Sequence, residues 1–175
     1  MSLLPSATEI VSALGLEDRL VGISHSCDYP TTIVDRPRLS RARVELDGRS
    51  SEEIDAAVRA ALRDHGSVYE IDVPGITALE PDLVLTQGIC DVCAVPENQV
   101  HDALKLSTGT QVLTLDAHDL SAIFKSIRDV GGATGTSDRA DRLVADMQGR
   151  IAAVRTRVAG RRRPRVLALE WLDPP

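Results

Sequence analysis

The sequence predicts an α/β fold: an open, mostly parallel sheet with flanking helices. Three observations carry that expectation. Short apolar runs at 20–24 (LVGIS), 82–86 (DLVLT) and 111–115 (QVLTL) read as strands. Amphipathic stretches of helical period separate them, and strand–helix alternation is the signature of crossover-connected parallel strands. Start and stop residues sit where the periods change: capping motifs before the helices, Gly15, Gly66 and Gly160 after them.

Each element follows in order. Met1 to Leu4 reads as the tail of a strand. Ser6-Ala7-Thr8-Glu9 has the form of a capping box, in which the Ser6 hydroxyl and the Glu9 carboxylate serve each other's backbone amides. It predicts a helix from Ala7 to Leu14 ended by Gly15. The strand Leu20 to Ser24 runs into a polar loop, His25-Ser26-Cys27-Asp28-Tyr29-Pro30. Arg36 to Arg43 is extended or irregular. A second capping box, Ser50 and Glu53, opens a helix to His65, with Ile54, Val58, Ala61 and Leu62 on its inner face.

Asp82 to Thr86 is the clearest strand, and Gln87 to Val95 a loop with two cysteines. Pro96 to Leu106 is a helix with proline in its first turn. Beyond the strand Gln111–Leu115, a helix runs from Asp119 to about Val130 and is interrupted at Gly131-Gly132 and Gly135. A long helix from Ser137 to Ala159 repeats Val144, Met147, Ile151, Val154 and Val158 at helical spacing. Arg165 to Leu169 (RVLAL) looks like a new strand. The organisation is therefore an α/β lobe over 1–118, a helical region over 119–160 and the start of something further over 161–175.

Composition narrows the function. The length, 175 residues, suits one domain or one domain and a fragment. The net charge of −6 disfavours nucleic acid as a partner. One Trp, two Tyr and one Phe are too few for a base-stacking platform. No apolar run approaches the ~20 residues of a membrane span. The start, MSLLPSATEI, lacks the basic and apolar regions of a secretory signal. Three cysteines are too few for a disulfide scaffold. No phosphate-binding glycine loop and no nucleophile elbow appear, and no catalytic base has a positioned partner, so the chain is not expected to be an enzyme.

The chemistry-bearing residues gather at predicted strand C-termini, where open parallel sheets bind ligands. Pro5 and Ser6 open the first helix, His25 to Tyr29 follow the second strand, and Gln87 to Cys93 follow the third. Cys90 and Cys93 form a C-x-x-C pair. With His25 and Cys27 they have the donor set of a Cys₃His site for zinc or another metal; the alternative is three reduced thiols that pack. A thioredoxin-like role fits less well, because Pro96 starts the helix after the pair. His25 is either an axial ligand to a metallocofactor or a loop histidine bonded to backbone. Ser6 and Thr8 at a helix start either bind an anion or cap the helix. Arg161-Arg162-Arg163 either complements the dipole of the long helix or forms a basic patch.

Three segments, SLLPSATEIVSALGLEDRLVGISHSCDYP, ALEPDLVLTQGICDVCAV and RVLALEWLDPP, resemble the cobalamin-type substrate-binding proteins of ABC importers, the group that also binds iron–siderophores and haem. The motifs are P-S-x-T-E, D-Y-P and L-x-P-D-L-V, and the resemblance covers nearly all of the chain. It implies a non-catalytic protein with two α/β lobes joined by one long helix, and a cleft between them for cobalamin or a related corrinoid or metal chelate. Arg165 to Leu169 would then open a second lobe, and the chain would be one lobe, the bridge and a stub.

Carried over by position, the cleft-lining residues are Pro5, Ser6, His25, Cys27, Asp28, Tyr29, Gln87, Cys90 and Cys93. Tyr29 would pack on a corrin ring, while Gln87 stands where cobalamin-gripping members often place an aromatic. Glu70 is the candidate carboxylate for docking on the permease. No resident cofactor is implied. The resemblance implies a place outside the cytoplasm or at the membrane, which requires an upstream export segment; with Met1 as the genuine start, the expectation is a cytoplasmic protein. The rival reading is an intracellular metal or redox module built on Cys27, Cys90 and Cys93, and a second rival is a corrinoid-handling enzyme subunit.

Overall fold

The computed structural model describes residues 1–88, 100 and 109–168. The expected cysteine loop from 89 onward and the helix at 96–106 lie outside the described residues, Val100 excepted.

The parallel sheet is present, and much of it is held by single bridges. Strand β3 (Leu83–Gln87) pairs in parallel with β4 (Gln111–Leu115), Leu85 opposite Leu113. On the other side of β3, Leu85 bridges Ser2, Ser2 bridges Ile23, and Ile23 bridges Arg38, all parallel. The spatial order is thus β4, β3, the first residues, the segment at Ile23 and the segment at Arg38. The chain then leaves this sheet in a short antiparallel ribbon, β1 (Ser40–Ala42) against β2 (Tyr69–Ile71). The sequence reading missed that ribbon, since strands of three residues are too short for a period to stand out.

Val84, Leu85 and Thr86 are all buried, as befits a strand covered on both faces. Neighbouring side chains point to opposite sides. Leu85 joins a core with Ala7, Val11, Ile23, Phe124 and Val130. Val84 joins a second with Leu3, Leu39, Ile76 and Val100.

The first helix corrects the sequence expectation. Helix α1 spans Pro5–Ala13, its N-cap is Leu4, and no side chain caps it. The Ser6–Glu9 box therefore does not form. Proline favours the first helical position and drives the residue before it into extended backbone, and Leu4 is extended (φ −150°, ψ 148°). The boundary falls two residues before the place a Ser6 cap requires.

Helix α2 (Ser51–His65) meets its expectation at both ends, while of the expected inner face only Ala61 is buried and Ile54, Val58 and Leu62 are half-buried. Ser50 accepts from the Glu53 amide, Glu53 accepts from the Ser50 amide, and Gly66 closes the helix at φ 67°, a left-handed turn that glycine adopts without strain. We expect Ser50→Ala to lower stability by about 1 kcal/mol in a denaturant titration. The Ser50 backbone N–H, followed by its hydroxyl, holds the Glu53 carboxyl below its ordinary value. That contribution is complete above the ordinary glutamate range and is lost as pH falls through the lowered value.

Helix α3 (Val73–Leu79), which the sequence reading missed, starts at Asp72, whose carboxylate accepts from the Gly75 amide at 3.0 Å, with Pro74 in its first turn. Helix α4 (Leu120–Ala133) is capped by Asp119 and continues through Gly131 and Gly132, so the expected interruption is absent there, while the break at Gly135, in the left-handed region at φ 70°, is present. Helix α5 (Ser137–Val158) returns against it. Ala140 and Val144 are buried, Met147 and Ile151 pack on the core, and Val154 and Val158 are each 55% exposed.

Residues 165–168 form no strand, and Val166 and Leu167 are each 80% exposed. A strand is held by backbone hydrogen bonds to a neighbour, and among the described residues none pairs with them. No helix among the described residues is long and apolar enough to cross a membrane.

Candidate functional site

The parallel bridges set the site. Because Ser2, Ile23 and Leu85 run side by side in one direction, the residues that follow them emerge at one sheet edge. These are Leu4-Pro5-Ser6, then Ser24 to Pro30, then Gln87-Gly88. Three of the expected cleft segments are therefore together. Pro5 is half-buried and Ser6 exposed at the start of α1; Asp28 is exposed, and Tyr29 is 63% exposed. Gln87 is half-buried at the end of β3. Cys90 and Cys93 lie outside the described residues.

Cys27 has a setting that the loop sequence did not reveal. It is fully buried, and its sulfur lies 3.0 Å from Thr8 Oγ1 and 3.2 Å from Ser24 Oγ. Thr8 in turn donates to Ser2 Oγ at 2.8 Å, and Ser2 donates to the Leu4 carbonyl at 3.0 Å. Each hydroxyl or thiol has one proton to give. One direction satisfies them all: Ser24 to Cys27, Cys27 to Thr8, Thr8 to Ser2, Ser2 to Leu4. In that direction the thiol ties the loop to α1. Thr8 is likewise fully buried, which answers the anion-binding alternative for it.

Arg38 fixes the loop from the other side. One guanidinium nitrogen donates to the carbonyls of His25 at 2.6 Å and of Ser24 and Cys27 at 3.3 Å each. Three carbonyls converging on one cation make a rigid turn, since bonds to a charged donor are stronger than neutral ones. His25 is half-buried. Its ring nitrogen Nδ1 lies 2.9 Å from Ser40 Oγ, and its ring packs on Tyr69 with centroids 5.1 Å apart and planes tilted by 40°. Burial, and next the Arg38 charge, hold the imidazole below its ordinary pKa, so the ring favours its neutral form.

Sequence reasoning missed Arg38 and Ser40. Both lie in the segment read only as extended or irregular, and their partners are set by sheet register, which no local motif records.

Glu70 does not stand alone. Its carboxylate takes two bonds from Arg41, at 2.9 and 2.8 Å, and faces Arg43 at 3.5 Å. The Arg41 hydrogen bond leads in holding its pKa below the usual carboxylate range. Beside this pair a recess of about 410 Å³ opens, with Arg38, Ser40, Arg41 and Asp72 among its walls. Among the described residues no group of three or more His, Cys, Asp or Glu is placed to hold a metal ion.

Known proteins share this framework. The chain is 32% identical over 150 residues to the "uncharacterized ABC transporter substrate-binding lipoprotein YvrC" of Bacillus subtilis, covering 85% of this chain and 38% of that protein. The apo periplasmic heme-binding protein RhuT from Roseiflexus sp. RS-1 superposes with a TM-score of 0.66 at 25% identity, over 93% of this chain and 51% of RhuT. The periplasmic vitamin B12 binding protein BtuF of Vibrio cholerae gives a TM-score of 0.64 at 22% identity, over 91% of this chain and 50% of BtuF. The chain thus spans about half the length of these structures and less of the curated relative. A family model described as "Periplasmic binding protein" matches residues 1–174, and this chain belongs to that family.

Proposed function

We propose that this chain supplies a ligand-binding lobe of an ABC importer's substrate-binding protein, that it is non-catalytic, and that its cargo is a metal tetrapyrrole: cobalamin, a related corrinoid or haem. The relative in Bacillus subtilis carries the importer part of this reading by its name. The fold neighbours named for heme and vitamin B12 support the cargo class. The observation that carries the reading furthest is the setting of His25. A neutral imidazole is fixed at the open sheet edge, with Nδ1 engaged and Nε2 in no hydrogen bond among the described residues. Neutral imidazole is a general ligand for cobalt and iron centres. Tyr29, exposed on the same loop, offers a face to a flat macrocycle.

The permease is the implied partner. Docking through Glu70 would proceed by exchange, a permease cation replacing Arg41 on the carboxylate.

A visible-absorbance titration with aquocobalamin, and in parallel with ferric haem, tests the cargo. One of the two should give a saturable band shift that His25→Ala lacks. Flat titrations with both probes would overturn the cargo class. A shift of equal size in His25→Ala would overturn axial ligation.

A further inference from the structure

His25 is held on nearly every polar atom it has. Its backbone N–H donates to Ser40 Oγ at 3.1 Å, and its carbonyl accepts from Arg38 at 2.6 Å. Its Nδ1 meets the same Ser40 oxygen at 2.9 Å. Among the described residues only Nε2 is left without a bond. Ser40 is itself 7% exposed, at the start of β1. The rigid β1–β2 ribbon sets its place, and Tyr69 of β2 backs the imidazole.

We infer that Ser40 is the positioning residue for His25: one hydroxyl oxygen grips both the backbone amide and imidazole Nδ1 and so selects Nε2 as the nitrogen offered to cargo. A nitrogen that ligates a metal must present a lone pair, so the ring proton has to sit on the other nitrogen. Nδ1–H then needs an acceptor. A serine oxygen has two lone pairs, one for the amide and one for Nδ1–H. A partner of this kind fixes both the orientation and the basicity of the ligating ring, and its loss typically weakens metal affinity about 10- to 100-fold. This inference rests on the reading of His25 as a cargo ligand; it adds the residue that decides which nitrogen binds and how firmly.

The test compares wild type, His25→Ala, Ser40→Thr and Ser40→Val by titration with aquocobalamin and ferric haem. Threonine and valine match in shape and differ in the hydroxyl. Ser40→Thr should titrate like wild type, while Ser40→Val should bind about 10- to 100-fold more weakly by the axial band shift. Nitrogen-15 imidazole shifts of the cargo-free protein give an independent reading, because Ser40→Val should lower the population protonated at Nδ1. If His25→Ala loses the shift while Ser40→Val titrates like wild type, the inference falls and the cargo reading stands. Equal weakening in the Thr and Val variants would also overturn it, since packing and not the hydroxyl would then matter. If His25→Ala shifts like wild type, or neither probe shifts at all, the axial reading fails and takes the inference with it.

Discussion

Gly131→Ala should destabilise the protein by about 2 to 3 kcal/mol, the upper part of the range for overpacking a fixed core. A Cβ at Gly131 would lie 2.5 Å from the Ala140 Cβ, with the Thr136 carbonyl at 3.4 Å. Both neighbours are pinned. Ala140 is fully buried in α5, and the α4–α5 turn is closed by the Thr136 amide on the Gly131 carbonyl at 2.7 Å. The next residue supplies the control. A Cβ at Gly132 meets nothing within 4 Å, so Gly132→Ala should stabilise the helix by about 0.5 to 1 kcal/mol through lower chain entropy alone. Urea midpoints of the two variants should move in opposite directions. Equal shifts, or a stable Gly131→Ala protein, would show that the helices part without cost.

Thr8→Val should cost about 2 kcal/mol, although it changes the side chain's shape very little. It removes the acceptor of the Cys27 thiol and the donor to Ser2 in a site with no exposure to water, and each orphaned buried group costs of order 1 to 3 kcal/mol. Cys27→Ala strands the Ser24 hydroxyl instead. Because both changes break one chain of bonds, the double variant should lose less than the sum of the singles, by about 0.5 kcal/mol or more. Additive losses would mean that Thr8 and Cys27 are neighbours without a shared network. A Thr8→Val protein as stable as wild type would remove the role assigned to that chain.

What was legible in the sequence was local. The α2 capping box involves residues three apart, and it formed as read. Strand β4 carries its own apolar pattern and matches its expected bounds, Gln111–Leu115. The start of α1 was misplaced because two local rules competed: serine favours the cap, proline the first turn, and the backbone restriction before proline decided. Helix α4 outran Gly131 because an inter-helix contact, with Ala140, sets the use of that glycine. In the site, the chemistry of the His25 loop was legible and its direction was not. Cys27 turns inward because Thr8 and Ser24 offer it bonds there, and Arg38 and Ser40 reach the loop from 11 to 15 positions away.

Helix α5 has a mechanical consequence. Its root is clamped: Arg128 pairs with Asp141 at 2.8 Å, Arg139 reaches back to the Leu14 carbonyl at 2.9 Å, and Gly131 admits Ala140. Its last turns beyond Ile151, carrying Val154 and Val158, stand away from the lobe. The helix therefore overhangs the core beyond Ile151, by about 10 Å at ~1.5 Å per residue. A tilt of roughly 10° about its last core contact would move its tip by about 2 Å over that length. Substitutions at the clamp would steer whatever the tip carries without touching the cargo loop.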